Sequence, residues 1–533
     1  MIGGRLRRAV VGLIAGALLL SGCAAGPSLG DAGIVVGTAL PVTALDPAAA
    51  QGAGGELVAH QVYPHLLTTR PGTSEIVPDI AGSARFDDTG AYVVTLKRGL
   101  VFADGDRLDA RDVVFSLTRQ TAIKAPGGPS PLLAGIASIA MPDRHTVVFR
   151  LATPNDQMFP AILAGPAGAI VDRRVFPATA LASDRDIVAA RPFAGPYVVQ
   201  SLNPGDLLTF RANPDYRGAL GTPRSPDISL KLYTDADSLA ADVADRAIDL
   251  AYGGLEPAQT GTLGDDPGVH LITAAGGSLR SLAFDLAAMP FGSERDNANP
   301  RKAQAVRTAI ADLVDRTAIA DRVDRGATSP LYGFTSDGLP GADPVLRRLT
   351  GDGRGGPDAA AARRVLADVG IEGTVSLTIA VVPSTTGPDT LAEYRALRDQ
   401  LQLGGLFDID LRTVTAEGLA AGRAKHDFAA FSFTWSTHGL DPATYRAPYQ
   451  LGDAHLGTHY TNPVALALLA KPATETDRAK RDADLRVVQQ QLATDLPTVP
   501  LVQHRQLAAT ASGITGVRFD GSLTLTFGSL RTS

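Results

Sequence analysis

Apolar positions along the chain fall into short β-branched runs that alternate with stretches of helical spacing. "GIVVGTAL" (33–40) is a compact apolar run closed by Pro41 and predicts a buried strand. "AYVVTLKRGLVF" (91–102) and "HTVVFRL" (145–151) read as strands, the first by alternation of apolar and polar positions. Between them, in "DARDVVFSLTRQ", Val113, Val114 and Leu117 share one helical face, and Asp109 stands where an N-cap would. "GPYVVQSLNPGDLLTFRANPDY" (195–216) predicts a hairpin turning at Asn203-Pro204-Gly205-Asp206. A long amphipathic helix pair is expected over 301–323, and a helix over 358–370 ended by Gly370 as a C′ residue. Strands are expected at 375–382, 407–414 and 426–435, and helices at 391–405 and 482–496. The alternation is that of an α/β chain with mixed sheets.

The first residues do not fit that pattern. Arg5, Arg7 and Arg8 precede an apolar run from Ala9 to Leu20, the charge-then-apolar order of a secretory signal. The run is shorter than the roughly 20 residues a bilayer span requires. Leu20-Ser21-Gly22-Cys23 follows and resembles the lipobox of bacterial lipoproteins, in which the chain is cut before a cysteine that then carries lipid. Cys23 is the only cysteine, so an intrachain disulfide is excluded. Cleavage there takes the formal charge from −6 to −9, which argues against a nucleic-acid partner. The expected location is extracytoplasmic, with the acylated Cys23 holding the protein to the cell membrane. A length of 533 residues implies more than one lobe.

Function enters through the segment 77–119, "VPDIAGSARFDDTGAYVVTLKRGLVFADGDRLDARDVVFSLTR". It sets Asp87/Asp88, Gly90, Leu96, Gly99, Phe102, Asp104, Gly105, Ala110, Asp112, Val113, Val114 and Ser116 in the order of a known signature. "GPYVVQSLNPGDLLTFRANPDYRG", "LAFDLAAMPF", "VRTAIADLVDRTAI" and "DAAAARRVLADVG" follow in the matching order. Together they resemble the dipeptide/oligopeptide/nickel-binding lipoproteins of ABC importers. The resemblance implies a periplasmic-binding-protein type II (Venus-flytrap) fold, two lobes built from three domains, closing on a ligand. The expected boundaries are 1–22 signal peptide, 23–32 lipidated Cys and tether, 33–66 with 196–284 and 503–533 domain I, 67–195 inserted domain II, and 285–502 domain III. Expected partners are a peptide ligand, ABC permease subunits and the bilayer; a monomer is expected, and no cofactor or metal, although haem is a conceivable cargo.

The resemblance also points to site residues. The strand containing Arg280, Ser281, Leu282 and Ala283 matches one that lines the cleft and is expected to offer main-chain hydrogen bonds to an extended peptide. Trp435, the only tryptophan, matches a ligand-packing Trp. Three residues on, relatives carry an Asp for the peptide ammonium, and here the residue is His438, with Asp441 further along the loop. His438 has three readings: a neutral hydrogen-bonding residue, a partner for an anionic group, or a metal or haem ligand. The loop after the 375–382 strand, where dipeptide binders carry an Arg for the peptide carboxylate, has Thr386 as the rough match and no Arg. Two altered anchors point to short oligopeptides rather than strictly dipeptides, with haem or metal-chelate binding, or an envelope scaffold role, as alternatives.

Other motifs carry less. His455 and His459 lie four apart but in a loop, and are expected at the surface. "GDGRGG" (351–356) fits a dinucleotide fingerprint only formally, lacking a strand before it and an acid after it. No hydrolase, zinc-protease or Walker motif is present, so catalysis is not expected.

Overall fold

A computed structural model describes residues 33–384, 389–436, 441–445, 447–450, 456–519, 521 and 523–533. The elements that position the site begin with β1 (Ile34–Thr38), whose five residues are all buried. β2 (Ala81–Phe86), β3 (Tyr92–Leu96), β4 (Ile136–Asp143) and β5 (Thr146–Leu151) form an antiparallel sheet in the order β2-β3-β5-β4. Helix α1 (Ala110–Ile123) covers it, Val113 and Leu117 packing with Val94 and Phe149. Its start is the expected one: Asp109 accepts from Arg111 N, and Asp112 accepts from Asp109 N at 2.9 Å.

β6 (Tyr197–Asn203) and β7 (Leu207–Ala212) make the expected hairpin, with Gly205 at φ +75° in its turn. β8 (Asp227–Leu232), β9 (Leu250–Tyr252) and the long β10 (Val269–Phe284) follow. The expected helix pair over 301–323 is reduced. α2 (Pro300–Leu313) forms in full, but the chain leaves the helix at Val314. The second half is a short turn, Arg316–Ala318, running into a π-helical turn, Ile319–Val323. Arg316 is drawn inside, where its Nε donates to Pro500 O at 2.8 Å, and this tertiary contact outweighs the local helical pattern.

Of the elements that follow, those that bear on the site are α3 (Ala359–Ala367), β11 (Val375–Val381), α4 (Thr390–Gln402), β12 (Phe407–Thr413), α5 (Ala416–Arg423), β13 (Ala430–Ser436), α6 (Arg478–Asp495) and β14 (Thr498–Ala511). Among the described residues, eleven strands form one mixed sheet, ten of them in the order β12-β11-β13-β10-β14-β9-β1-β8-β7-β6.

Two strands belong to both halves of that sheet. β10 pairs Val269–Ala275 with Ala511–Arg505, loses register at Gly276-Gly277, and resumes with Leu279 opposite Gln503. Before the break, β14 is flanked by β9; after it, β10 is flanked by β13. Gly276 is required by close approach, since a Cβ there would lie 2.4 Å from His504 O. Separate cores back the two halves. Leu282, Phe284, Val306, Ile310, Leu397 and Val499 belong to one, Ile34, Val36, Tyr197, Phe210 and Phe527 to the other. No helix of the described residues is long and apolar enough to cross a membrane.

Candidate functional site

Where the two halves of the sheet meet, a cavity of about 190 Å³ opens. One wall is Gly72–Ser74 with Gln506 and Phe519; the facing wall is Ser336–Leu339 with Tyr445. The walls touch directly, Ser74 Oγ donating to Gly338 O at 2.9 Å. Further out, Gln157 N donates to Ala473 O at 2.8 Å.

Trp435 stands one residue from the end of β13, opposite Leu279 of β10. Strand alternation puts it on the same face as Phe433, and the two rings lie nearly parallel, 6.5 Å apart at an interplanar angle of 15°. Its indole Nε1 donates to Thr444 O at 3.0 Å, and it packs against the cluster of Leu279, Leu331 and Tyr445, beside Leu339. Leu339 and Tyr445 are in the cavity wall, so the half-buried Trp435 backs that wall. Tyr445 in turn donates to Gly277 O at 3.0 Å, tying the 441–445 turn to the register break.

The strand expected to offer its main chain does not present an open edge. Arg280, Ser281, Leu282 and Ala283 pair with β13 on one side and β14 on the other, so their amides and carbonyls are committed within the sheet. Arg280 is 3 % exposed and its guanidinium is paired with the fully buried Glu393 of α4. None of the four lines the cavity. Asp441 is also committed. It is buried, accepts from Ala443 N at 2.7 Å, and receives Arg481 Nη2 at 2.7 and 2.8 Å on its two oxygens. It caps its own turn and fastens it to α6, which is a structural role. Cys23, Thr386, His438 and His455 lie outside the described residues.

Behind β10 the charges form a network with one cation and two acids. Burial, and then the nearby Glu393, hold the Asp324 carboxyl well above the ordinary carboxylate range; Thr328 Oγ1 donates to it at 2.7 Å. Arg280 therefore balances one carboxylate while the other acid keeps its proton. His504, on β14, is pushed down to about 4, first by burial and then by Arg280.

Asp337 is a cavity residue that sequence reasoning did not single out. Its backbone N–H donates to Gln503 Oε1 at 2.8 Å, which fixes the turn; the residue is exposed, and the partial desolvation of the cavity raises its carboxyl above the usual value. No hydrogen-bond donor to that carboxylate is found among the described residues. Its signal in the sequence is an Asp-Gly pair in "TSDGLPG", which reads only as a turn. His459 is the second departure: it lies in a loop, as expected, but its Nδ1 is 2.9 Å from the buried Asp285.

The chain matches the family model described as bacterial extracellular solute-binding proteins, family 5 Middle, over residues 75–455. It is 28% identical over 224 residues to the "Probable D,D-dipeptide-binding periplasmic protein DdpA" of Escherichia coli (strain K12), covering 41% of this chain and 42% of that protein. With the "Probable ABC transporter periplasmic-binding protein SapA" of the same organism it shares 25% identity over 518 residues, 91% of this chain and 90% of the relative. The match to DdpA thus spans less than half of that relative, and the match to SapA nearly all of it. The structure of HbpA2 from Haemophilus parasuis superposes with a TM-score of 0.79 at 20% identity, over 94% of this chain and 99% of that one. The fold is the type II periplasmic-binding-protein fold.

Proposed function

The chain belongs to the bacterial extracellular solute-binding proteins of family 5, and on that premise we propose that it captures short peptides at the junction of its two lobes and delivers them to an ABC permease. The observation that carries this reading is the pairing, in one cavity, of an apolar wall backed by Trp435 with the carboxylate of Asp337. A peptide brings apolar side chains and an α-ammonium, and a buried ammonium requires a carboxylate partner. Asp337 supplies that partner in a chain whose position 438 is a histidine and whose Asp441 is bound to Arg481. The relative named for D,D-dipeptide binding supports peptides as the ligand class. The absence of an Arg anchor in 382–388 favours short oligopeptides over strict dipeptides.

The lobes are taken to hinge where β10 and β14 lose register, at Gly276-Gly277. The domain division read from the sequence (33–66, 196–284 and 503–533; 67–195; 285–502) is kept in the proposal; the core of Val306, Ile310 and Val499, separate from that of Ile34, Tyr197 and Phe527, supports it, while Val171, Phe176 and Phe193 pack with the latter. Anchoring through a lipidated Cys23 completes the proposal, resting on "LSGC" after the apolar run.

The test is native mass spectrometry of the protein as purified, followed by calorimetric titration with di-, tri- and tetrapeptides. Retained masses of peptides, and affinity that rises from two to four residues, are expected. A retained haem or metal-chelate mass with no peptide binding would overturn the reading.

A further inference from the structure

At the far end of β10 from the cavity, three chain segments bring two histidines onto one buried carboxylate. Asp285, 1 % exposed, follows the last residue of β10. His426 Nδ1 lies 3.0 Å from its Oδ2, and His459 Nδ1 lies 2.9 Å from its Oδ1. One atom from each of the three residues lies within 4.8 Å of the other two. The imidazole rings are 4.8 Å apart. On its outer side, His426 Nε2 is 3.3 Å from Glu294 Oε2. From Ser278, where β10 meets the end of β13, to Asp285 is seven residues, about 23 Å of strand. This cluster is therefore separate from the peptide cavity.

The backbone is bent to make it. His426 sits at φ +57° and His459 at φ +55°, in the left-handed region that β-carbon-bearing residues avoid. His426 follows the end of α5, where Asp427 N reaches back to Gly422 O at 3.0 Å, a helix-stop position that ordinarily goes to Gly or Asn. Two imidazoles held in strained loops and aimed at the same acid call for a reason beyond turn formation. The acid is itself fixed: Oδ1 also accepts from Ala287 N at 3.0 Å and Ala288 N at 3.2 Å. The loops are pinned to the strand end as well, through Asp285 N to Ala429 O at 3.1 Å and Leu286 N to Thr458 O at 3.0 Å.

We infer that His426, His459 and Asp285 form a binding site for a divalent transition-metal ion of the zinc class. Two imidazole nitrogens and one carboxylate oxygen suit such an ion and do not suit magnesium, which prefers oxygen ligands. Ligands about 2.0–2.1 Å from a tetrahedral ion are about 3.3 Å from one another. The nitrogen–oxygen separations, 3.0 Å to Oδ2 and 2.9 Å to Oδ1, are near that spacing, and with one atom from each residue within 4.8 Å of the others, rotation of the rings towards a shared oxygen, or ligation by both oxygens, admits the ion. For each Nδ1 to ligate, its hydrogen must leave and the ring carries its proton on Nε2 instead. For His426 that N–H then points at Glu294, which would orient the ring in the manner of a carboxylate–histidine–metal triad. An ion held there clamps the exit of β10 to the turn before β13 and to the 456–459 loop, stiffening the large lobe at the end opposite the cavity.

The experiment titrates the chelator-treated mature protein with Zn²⁺, Ni²⁺ and Mg²⁺ by calorimetry and follows its thermal unfolding. The comparison is the double variant His426→Asn/His459→Asn; asparagine is at home in the left-handed region, so the loops keep their shape without the imidazoles. One equivalent of Zn²⁺ or Ni²⁺ and none of Mg²⁺ is expected, with a rise in Tm on adding Zn²⁺. In the double variant, affinity for Zn²⁺ should fall by about 100-fold and the Tm response should vanish; Glu294→Gln should weaken binding by about tenfold. Peptide affinity should be unchanged in the double variant, which separates this site from the cavity. No Zn²⁺ uptake by the parent protein, or equal uptake by the double variant, would overturn the assignment.

Discussion

The phenolic hydroxyl of Tyr445 donates to the carbonyl of Gly277 at 3.0 Å, joining a turn of the large lobe to the register break at which the sheet changes halves. The bond links a cavity-wall residue to the proposed hinge. Tyr445→Phe keeps the ring and removes the bond. It should lower stability by about 1 kcal/mol in urea unfolding. If the bond sets the lobe angle, small-angle scattering of the variant should also show a changed response to ligand; an unchanged response would confine Tyr445 to packing.

Asp337 is expected to act on binding rather than folding, and Trp435, packed in the apolar cluster behind the wall, on both. Asp337→Asn should weaken peptide affinity by about tenfold or more and leave Tm nearly unchanged, because its carboxylate meets the cavity and not the core. Trp435→Ala should weaken affinity by more than about 1 kcal/mol in calorimetry. A blocked N-terminus on the peptide should abolish the difference between Asp337→Asn and the parent protein. If the acetylated peptide still distinguishes them, Asp337 does not hold the ammonium.

Arg280 should behave as a structural cation. Arg280→Met leaves Glu393 buried beside Asp324 without its counter-charge, and a loss on the order of 3 kcal/mol is expected from chemical denaturation. Glu393→Gln made together with Arg280→Met should restore part of the loss. Failure of that rescue would show that the guanidinium matters through packing and not through charge.

Two buried histidines should withdraw stability as the pH falls, before the ordinary carboxylates titrate. Burial, with His60 nearby, pushes His65 down to about 3, and burial with Arg280 pushes His504 down to about 4. Both lie below the unfolded value of about 6.5, so the unfolded chain binds the protons first. The stability they carry is fully present above about pH 6.5 and is lost as the pH falls through 6.5 towards 4, on the order of 3 kcal/mol for each. The raised carboxyl of Asp324 acts in the opposite sense, its contribution being lost as the pH rises above the ordinary carboxylate range. Asp312, pushed up to about 6 by burial, acts in the same sense as Asp324, so the check is a difference between proteins: from pH 7 to pH 4 the urea midpoint of the parent should drop relative to that of His504→Gln. An equal slope in parent and variant would mean that His504 is not the group titrating.

Much of the architecture was legible in the chain because its cues are local. The Asp109 cap, the Asn203–Asp206 hairpin and the alternation in Tyr92–Leu96 and Thr146–Leu151 each depend on residues within a few positions of one another. The 301–323 pattern failed in its second half for the opposite reason, since Arg316 bonds to Pro500, 184 positions away. The candidate site was legible in part. Trp435 stands behind the cavity wall, but Arg280 to Ala283 lie in a strand paired on both sides and Asp441 is held by Arg481.

What the sequence by itself determined was the order of strands and helices and the membership of a family, since period, capping and turn chemistry are written in neighbouring residues. What only the tertiary structure decided was which charges are free to act. Arg280 and Glu393 are 113 positions apart, Asp441 and Arg481 are 40 apart, and Asp285 and His459 are 174 apart. Ion pairs form through space, and a charge neutralised by a distant partner looks in the sequence the same as one, such as that of Asp337, left facing a cavity.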